Sequence, residues 1–131
     1  MTDKSKEVVI VSAVRTPIGS YRGSLKKMRS DQLGSLVIKE ALKRTKFSSD
    51  EVDEVIMGQV LTAGAGQNPA RQAAINAGIP ISKPAHIINQ VCGSGLRAVI
   101  SGYQSIKLLK IPTEFEGTHF NDGLPSSSDT L

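Results

Sequence analysis

Ala85-His86-Ile87-Ile88-Asn89-Gln90-Val91, followed by Cys92-Gly93-Ser94-Gly95-Leu96, runs an apolar strand pattern into an amphipathic helix pattern with a cysteine at the junction. The seven residues up to Val91 predict a strand. Beyond Gly93, where the helix is expected to begin, Leu96, Val99, Ile100, Tyr103, Ile106 and Leu109 keep the three- and four-residue spacing of a helix. A thiol at such a junction faces the unpaired N–H groups of the first helical turn, whose partial positive charge favours thiolate over thiol. Gly93 and Gly95 are expected to let the backbone turn sharply and to let another molecule approach it closely. A lone cysteine is otherwise most often a small buried hydrophobe. The flanking glycines and the helix start favour Cys92 as a nucleophile.

Working outward from Cys92, the same alternation recurs upstream. Val8-Val9-Ile10-Val11 is a continuous β-branched run, the pattern of a strand buried on both faces. A loop with Pro17 and Gly19 follows. Ser30 is the expected N-cap of a helix carrying Leu33, Leu36, Val37, Ala41 and Leu42 and reaching about Lys46. Ser48 to Glu51 reads as a cap and a single turn before a second strand, Val55 to Leu61. Asn68 and Pro69 start a second helix that Gly78 stops, with Ala70, Ala73, Ala74 and Ala77 as a stripe of small residues suited to close packing. The order is βαβαβα, and continuous apolar strands alternating with helices imply an α/β fold with a parallel sheet. After Lys110 the periodicity stops, and residues 110–131, with their Pro, Gly and Ser content, read as a mostly disordered tail appended to the domain of residues 1–109.

The composition narrows the function classes. The 131 residues suffice for one domain, and five aromatics with no Trp indicate a core of aliphatic and Ala side chains. One cysteine excludes an internal disulfide framework, and the N-terminus has neither a secretory apolar region nor an Arg-rich import segment. No apolar run approaches the roughly 20 residues that span a bilayer. A cytoplasmic, non-membrane protein is expected. Charge is uneven: residues 1–109 carry 15 Lys/Arg against 8 Asp/Glu, whereas residues 110–131 carry one against four. The basic residues lie in two groups, Arg22, Lys26, Lys27 and Arg29, then Lys39, Lys43, Arg44 and Lys46, without interleaved aromatics. Nucleic acid is therefore not the expected partner. The second group suits the end of a helix, where cations complement the macrodipole.

NQVCGSGLRAV around Cys92 resembles the acyl-accepting cysteine motif of the thiolase family, in the CGSG form typical of acetoacetyl-CoA thiolases. VSAVRTPIGSYRGSL near the start and GQNPARQAAINAGIP in the middle resemble further family segments in the family's order, so the resemblance covers about residues 7 to 109. It implies part of a three-layer thiolase-like half, with a partial βαβαβα order and a parallel sheet that lacks its last strands. It also implies acetyl-CoA as the substrate, taken up by Cys92 as an acetyl thioester, with the Cys92 backbone N–H as one oxyanion donor. No metal and no cofactor are implied, acyl-CoA being the substrate. A β-ketoacyl synthase-like protein, with a similar fold and cysteine placement, is the rival, and Ser94 between two glycines together with the NPARQ segment favours thiolase.

Departures from the family pattern set further expectations. The activating His, the Asn that holds a water and the second Cys of the family are missing, and His86 and His119 do not lie in the Gly-His-Pro setting of its base. Both read as structural or solvent-exposed. The chain therefore reads as a truncated member that does not complete turnover unaided. In the family the first strand pairs with a fourth that has no counterpart here, so Val8 to Val11 is expected to be an open, adhesive edge with low stability as its consequence. Ala85 to Val91 is a second such edge, which pairs across the two-fold axis in family dimers. The alternative function is non-catalytic: self-association, or association with complete thiolase subunits. The abrupt composition of the tail reads as an alternative exon or a shifted frame.

Overall fold

The expected alternation of helix and strand is present from Ser30 onward in a computed structural model that describes residues 7–108. The elements are α1 (Ser30–Thr45), a single 3-10 turn (Ser49–Glu51), β1 (Val55–Gly58), α2 (Pro69–Ala77), β2 (Ala85–Ile88) and α3 (Ser94–Leu108). β1 and β2 pair in parallel, with Val55 opposite Ala85 and Gly58 opposite Ile88. The expected tail, His119 and Leu109 lie outside the described residues.

α2 forms where its sequence punctuation places it. The Asn68 side chain accepts from the Arg71 N–H at 3.1 Å, satisfying one of the orphan donors of the first turn, and Pro69 occupies the first helical position. Gly78, at φ +90°, ends the helix and donates to the Ile75 carbonyl at 3.0 Å. For α1 the cap differs from expectation: the N-cap is Arg29, and Ser30 is the first helical residue. The Gln32 side chain accepts the Arg29 N–H at 2.9 Å, and the Arg29 guanidinium lies 2.8 Å from the Asp31 carboxylate, so contacts spread over the turn replace a serine cap. Lys43 and Arg44 occupy the last turn of α1, as the macrodipole favours, and the hydrogen bond from Arg44 holds the Glu40 carboxyl below its ordinary value.

The small-residue stripe does what its pattern implies. Ala70, Ala73 and Ala74 are each 1% exposed, and a Cβ on Gly34 of α1 would sit 3.0 Å from the Ala73 Cβ. Helices approach this closely only when both contribute small residues. Asp31, buried at this contact, is satisfied by Arg29 and by the Asn76 amide at 3.4 Å, while Arg29 also donates to Gln72 on α2 at 2.8 Å. Below the helices, Val55, Ala74 and Ile79 form the core, with Ile38, Leu42, Val52, Met57, Ala77 and Ala85 packed around it. Successive strand residues face opposite ways. Met57 accordingly meets Gly34 of α1, whereas Gly58 meets the first turn of α3. The two strands thus lie between the α1–α2 pair and α3.

Two expectations need correction. Val8 to Val11 forms no ladder among the described residues, and Val9, Ile10 and Val11 are 63%, 79% and 61% exposed. A β-branched run records compatibility with a buried strand, but it becomes one only where neighbouring strands accept and donate along its length. The other two strands end earlier than predicted, at Gly58 and Ile88: beyond the Gln59–Ile88 hydrogen bond the Asn89 side chain, instead of an opposing backbone, engages the Val60 carbonyl and the Val91 N–H. The apolar stripe of α3 is also largely uncovered: Leu96, Val99, Tyr103 and Ile106 are each at least half exposed, and only Ser94 and Ala98 are buried.

The Gly34–Ala73 contact predicts a steric response. Ala73→Leu should lower the free energy of unfolding by about 1–3 kcal/mol, as overpacking of a filled contact does. In urea titrations followed by circular dichroism the midpoint should fall, while Lys39→Leu on the exposed side of α1 should leave it unchanged.

Candidate active site

Cys92 lies in the turn between β2 and α3, with an exposed, free thiol. Local hydrogen bonds shape this turn. The Gly93 N–H donates to the Gln90 carbonyl at 3.0 Å and the Ser94 N–H to the Val91 carbonyl at 3.1 Å. The Ser94 hydroxyl, in a residue only 3% exposed, donates to the Val91 carbonyl at 2.6 Å and accepts the Gln90 N–H at 2.9 Å. Asn89 works in both directions: its Oδ1 accepts the Val91 N–H at 2.9 Å, and its Nδ2 donates to the Val60 carbonyl, in the loop after β1, at 3.0 Å. Among the described residues no carbonyl accepts the Cys92 N–H at hydrogen-bond distance and angle.

The residue that makes the reversal is not the one expected. Val91, at φ +50°, is left-handed, whereas Gly93 and Gly95 are not. A β-branched residue in that region is strained. Space is open over both: a Cβ at Gly95 would meet nothing within 4 Å, and one at Gly93 only the Gln90 carbonyl at 3.4 Å. Backbone crowding occurs instead at Gly58. A Cβ there would collide with the Gly95 nitrogen and the Ser94 carbonyl carbon and would lie 2.6 Å from the Ser94 oxygen. The end of β1 therefore sits directly under the helix start that follows Cys92. Gly58, Asn89 and Ser94 shape this turn, a role that no motif in the sequence assigns to them. A glycine closing an apolar strand is a signal of close backbone approach that was available for Gly58.

Among the described residues no histidine stands beside Cys92. His86 is the second residue of β2, at the opposite end of the strand, and its Nδ1 lies 3.2 Å from the Glu54 carboxylate. Ser105 on α3 donates to the other Glu54 oxygen at 3.3 Å, so the three residues tie β2, the entry to β1 and α3 together. No group of three His, Cys, Asp or Glu side chains among the described residues is arranged to hold a metal ion. The first basic group is dispersed: Arg29 is engaged by Asp31 and Gln72, and Arg22 stands 5.6 Å from the centre of the Tyr21 ring. A cavity of about 310 Å³ lies between α1, α2 and the end of β1, lined by Arg15, Thr16, Met57, Gly58, Gln59 and Ala70 among others. Cys92 does not line it.

An exposed thiol at a strand-to-helix turn, an N–H beside it without an acceptor among the described residues and open space over two glycines leave room for an incoming acyl group. Comparison with known proteins identifies the family. Residues 8–112 match the N-terminal domain of thiolases. The acetyl-CoA acetyltransferase of Pseudomonas aeruginosa is 55% identical over 102 residues, which cover 78% of this chain and 26% of that protein. The cytosolic acetyl-CoA acetyltransferase of Mus musculus is 54% identical over 108 residues, covering 82% and 27%. Among solved structures, the Acat5 thiolase from Ascaris suum in complex with coenzyme A matches with a TM-score of 0.71 and 47% identity, over 72% of this chain and 25% of that one. The chain thus spans about a quarter of the length of these relatives.

The contrast between the two close glycines gives a direct check. Gly58→Ala should force α3 away from β1 and cost about 1–3 kcal/mol of stability. Gly95→Ala should be tolerated, or should stabilise α3 by up to about 1 kcal/mol through helix propensity. Thermal midpoints of the two variants, read by circular dichroism, should move in opposite directions or by clearly unequal amounts.

Proposed function

The chain belongs to the thiolase family, matching its N-terminal domain, and from that membership we propose that Cys92 takes the acetyl group of acetyl-CoA as a thioester. The observation that carries this reading is the exposed Cys92 thiol in the turn between β2 and α3, within a segment that matches acetyl-CoA acetyltransferases. The thiolate Sγ attacks the thioester carbonyl carbon, and the carbonyl electron pair moves onto oxygen. That oxyanion is met by the Cys92 backbone N–H, which has no other acceptor among the described residues. When the carbonyl re-forms, the bond to the coenzyme A sulfur breaks and coenzyme A departs as a thiolate that takes a proton from water. Acyl-CoA is substrate here, and no cofactor or metal takes part.

The second half-reaction, in which another acetyl-CoA loses a methyl proton and its carbon attacks the acetyl-cysteine, needs a base and an acid near the thioester. His86 is bound to Glu54 at the far end of β2. This stretch of chain therefore performs acylation without turnover on its own. The place proposed for it is the cytoplasm, which the cytosolic designation of the mouse relative supports.

A second reading has its own support. The uncovered face of α3 and the unladdered Val8 to Val11 are apolar surfaces of the kind that pair with another chain. On this reading the chain associates with itself or with complete thiolase subunits and need not react. It binds neither nucleic acid nor membrane.

The readings separate by experiment. After incubation with acetyl-CoA, intact-mass analysis should show one acetyl group per chain, located on the peptide containing Cys92 and absent from Cys92→Ala. A folded protein that acquires no acetyl group would refute the acylation reading. Sedimentation of the chain alone, and mixed with a complete acetyl-CoA acetyltransferase, should show association at micromolar concentration. A strictly monomeric chain in both samples would remove the second reading.

A further inference from the structure

Among the described residues Val91 is the one β-branched residue at a non-glycine position with positive φ, and it directly precedes Cys92. The residue is 64% exposed, so packing does not hold it in that conformation. The hydrogen bonds around it do. Its N–H is taken by Asn89 Oδ1 at 2.9 Å, and its carbonyl by the hydroxyl and N–H of Ser94. Ser94 belongs to α3 itself, whereas Asn89 is anchored elsewhere, through Nδ2 to the Val60 carbonyl beyond β1. The two ends of one amide therefore connect the loop after β1 to the peptide before the thiol. We propose that Asn89 is a positioning residue for Cys92: its side chain clamps Val91 in the left-handed conformation and thereby fixes the direction in which the thiol is presented.

This inference rests on the reading of Cys92 as the acyl acceptor. Asn89 does not touch the reacting atoms, and its effect passes through the φ angle of Val91. With the clamp removed, Val91 relaxes to negative φ, the ordinary preference of a β-branched residue. The thiol and its N–H then turn together away from a common approach direction. A glycine at position 91 populates positive φ without the steric cost, so it should make the clamp dispensable.

The test uses the full chain with four variants, Asn89→Ala, Asn89→Asp, Val91→Gly and the double variant Asn89→Ala/Val91→Gly, each checked for folding by circular dichroism. Three quantities are read: the rate of Cys92 acetylation by acetyl-CoA, the rate of alkylation by iodoacetamide, and the φ of residue 91 from its HN–Hα coupling and backbone carbon shifts. Asn89→Ala should lose the left-handed signature and acetylate about tenfold to a hundredfold more slowly, the scale of a misplaced reacting group. Alkylation, which needs no oriented approach, should change little. Asn89→Asp keeps the acceptor for the Val91 N–H and should fall in between. Val91→Gly should acetylate near the parent rate, and the double variant should recover most of what Asn89→Ala loses. A Val91 that stays left-handed in Asn89→Ala, or a folded double variant that recovers nothing, would overturn the proposal. If the parent chain is alkylated but never acetylated, the acyl-acceptor reading fails instead, and the clamp is judged on the φ of residue 91 alone.

Discussion

The parallel register of two four-residue strands sets the geometry on which the rest of this structure depends. With Val55 opposite Ala85 and Gly58 opposite Ile88, both strands end at the same edge. What leaves that edge is held by backbone contacts: Gln59 donates to the Ile88 carbonyl at 3.1 Å, and Asn89 donates to Val60. Gly58 then lies against the first turn of α3 with no room for a side chain. A shift of register by one residue would replace Gly58 with Met57 or Gln59 beneath that turn and would reverse which side chains meet α1. The position of Cys92 is thus a consequence of strand pairing begun more than thirty residues earlier.

Much of this could be read from the sequence, and the parts that could were local. Asn68, Pro69 and Gly78 delimit α2 because each acts on its own turn of backbone, through a capping oxygen, a fixed φ and a left-handed terminus. The spacing of Ala70, Ala73 and Ala74 identified a close helix contact, although not that Gly34 was its other half. The junction at Cys92 was legible as a strand-to-helix turn because periodicity changes there. What was not legible depends on partners distant in the chain. Val8 to Val11 has the composition of a strand, yet no described neighbour completes its ladder. Glycine is the residue type expected to be left-handed, yet the left-handed residue is Val91, where Asn89 and Ser94 supply hydrogen bonds that composition does not announce.

The same dependence on partners explains the surface. α3 packs on β1 and β2 through its small residues and leaves Leu96, Val99, Tyr103 and Ile106 exposed, an arrangement that buries too little apolar area to be strongly stabilising by itself. The thiolase relatives are about four times as long as the matched segment, so the segment corresponds to one quarter of a larger packed unit in them. Placement of Cys92 and helix covering therefore separate in this chain. The first is built by hydrogen bonds within residues 58–94, while the second calls for apolar surface that these residues do not contain.

The central claim is that the turn between β2 and α3 presents Cys92 as an acyl acceptor. Its most direct test is the carbon-13 spectrum of the chain after exposure to acetyl-CoA labelled at the carbonyl carbon. The account predicts one protein-bound thioester carbonyl, correlated with the Cys92 β-protons. A spectrum holding only free acetyl-CoA and acetate, or a protein-bound ester or amide in place of the thioester, would contradict it.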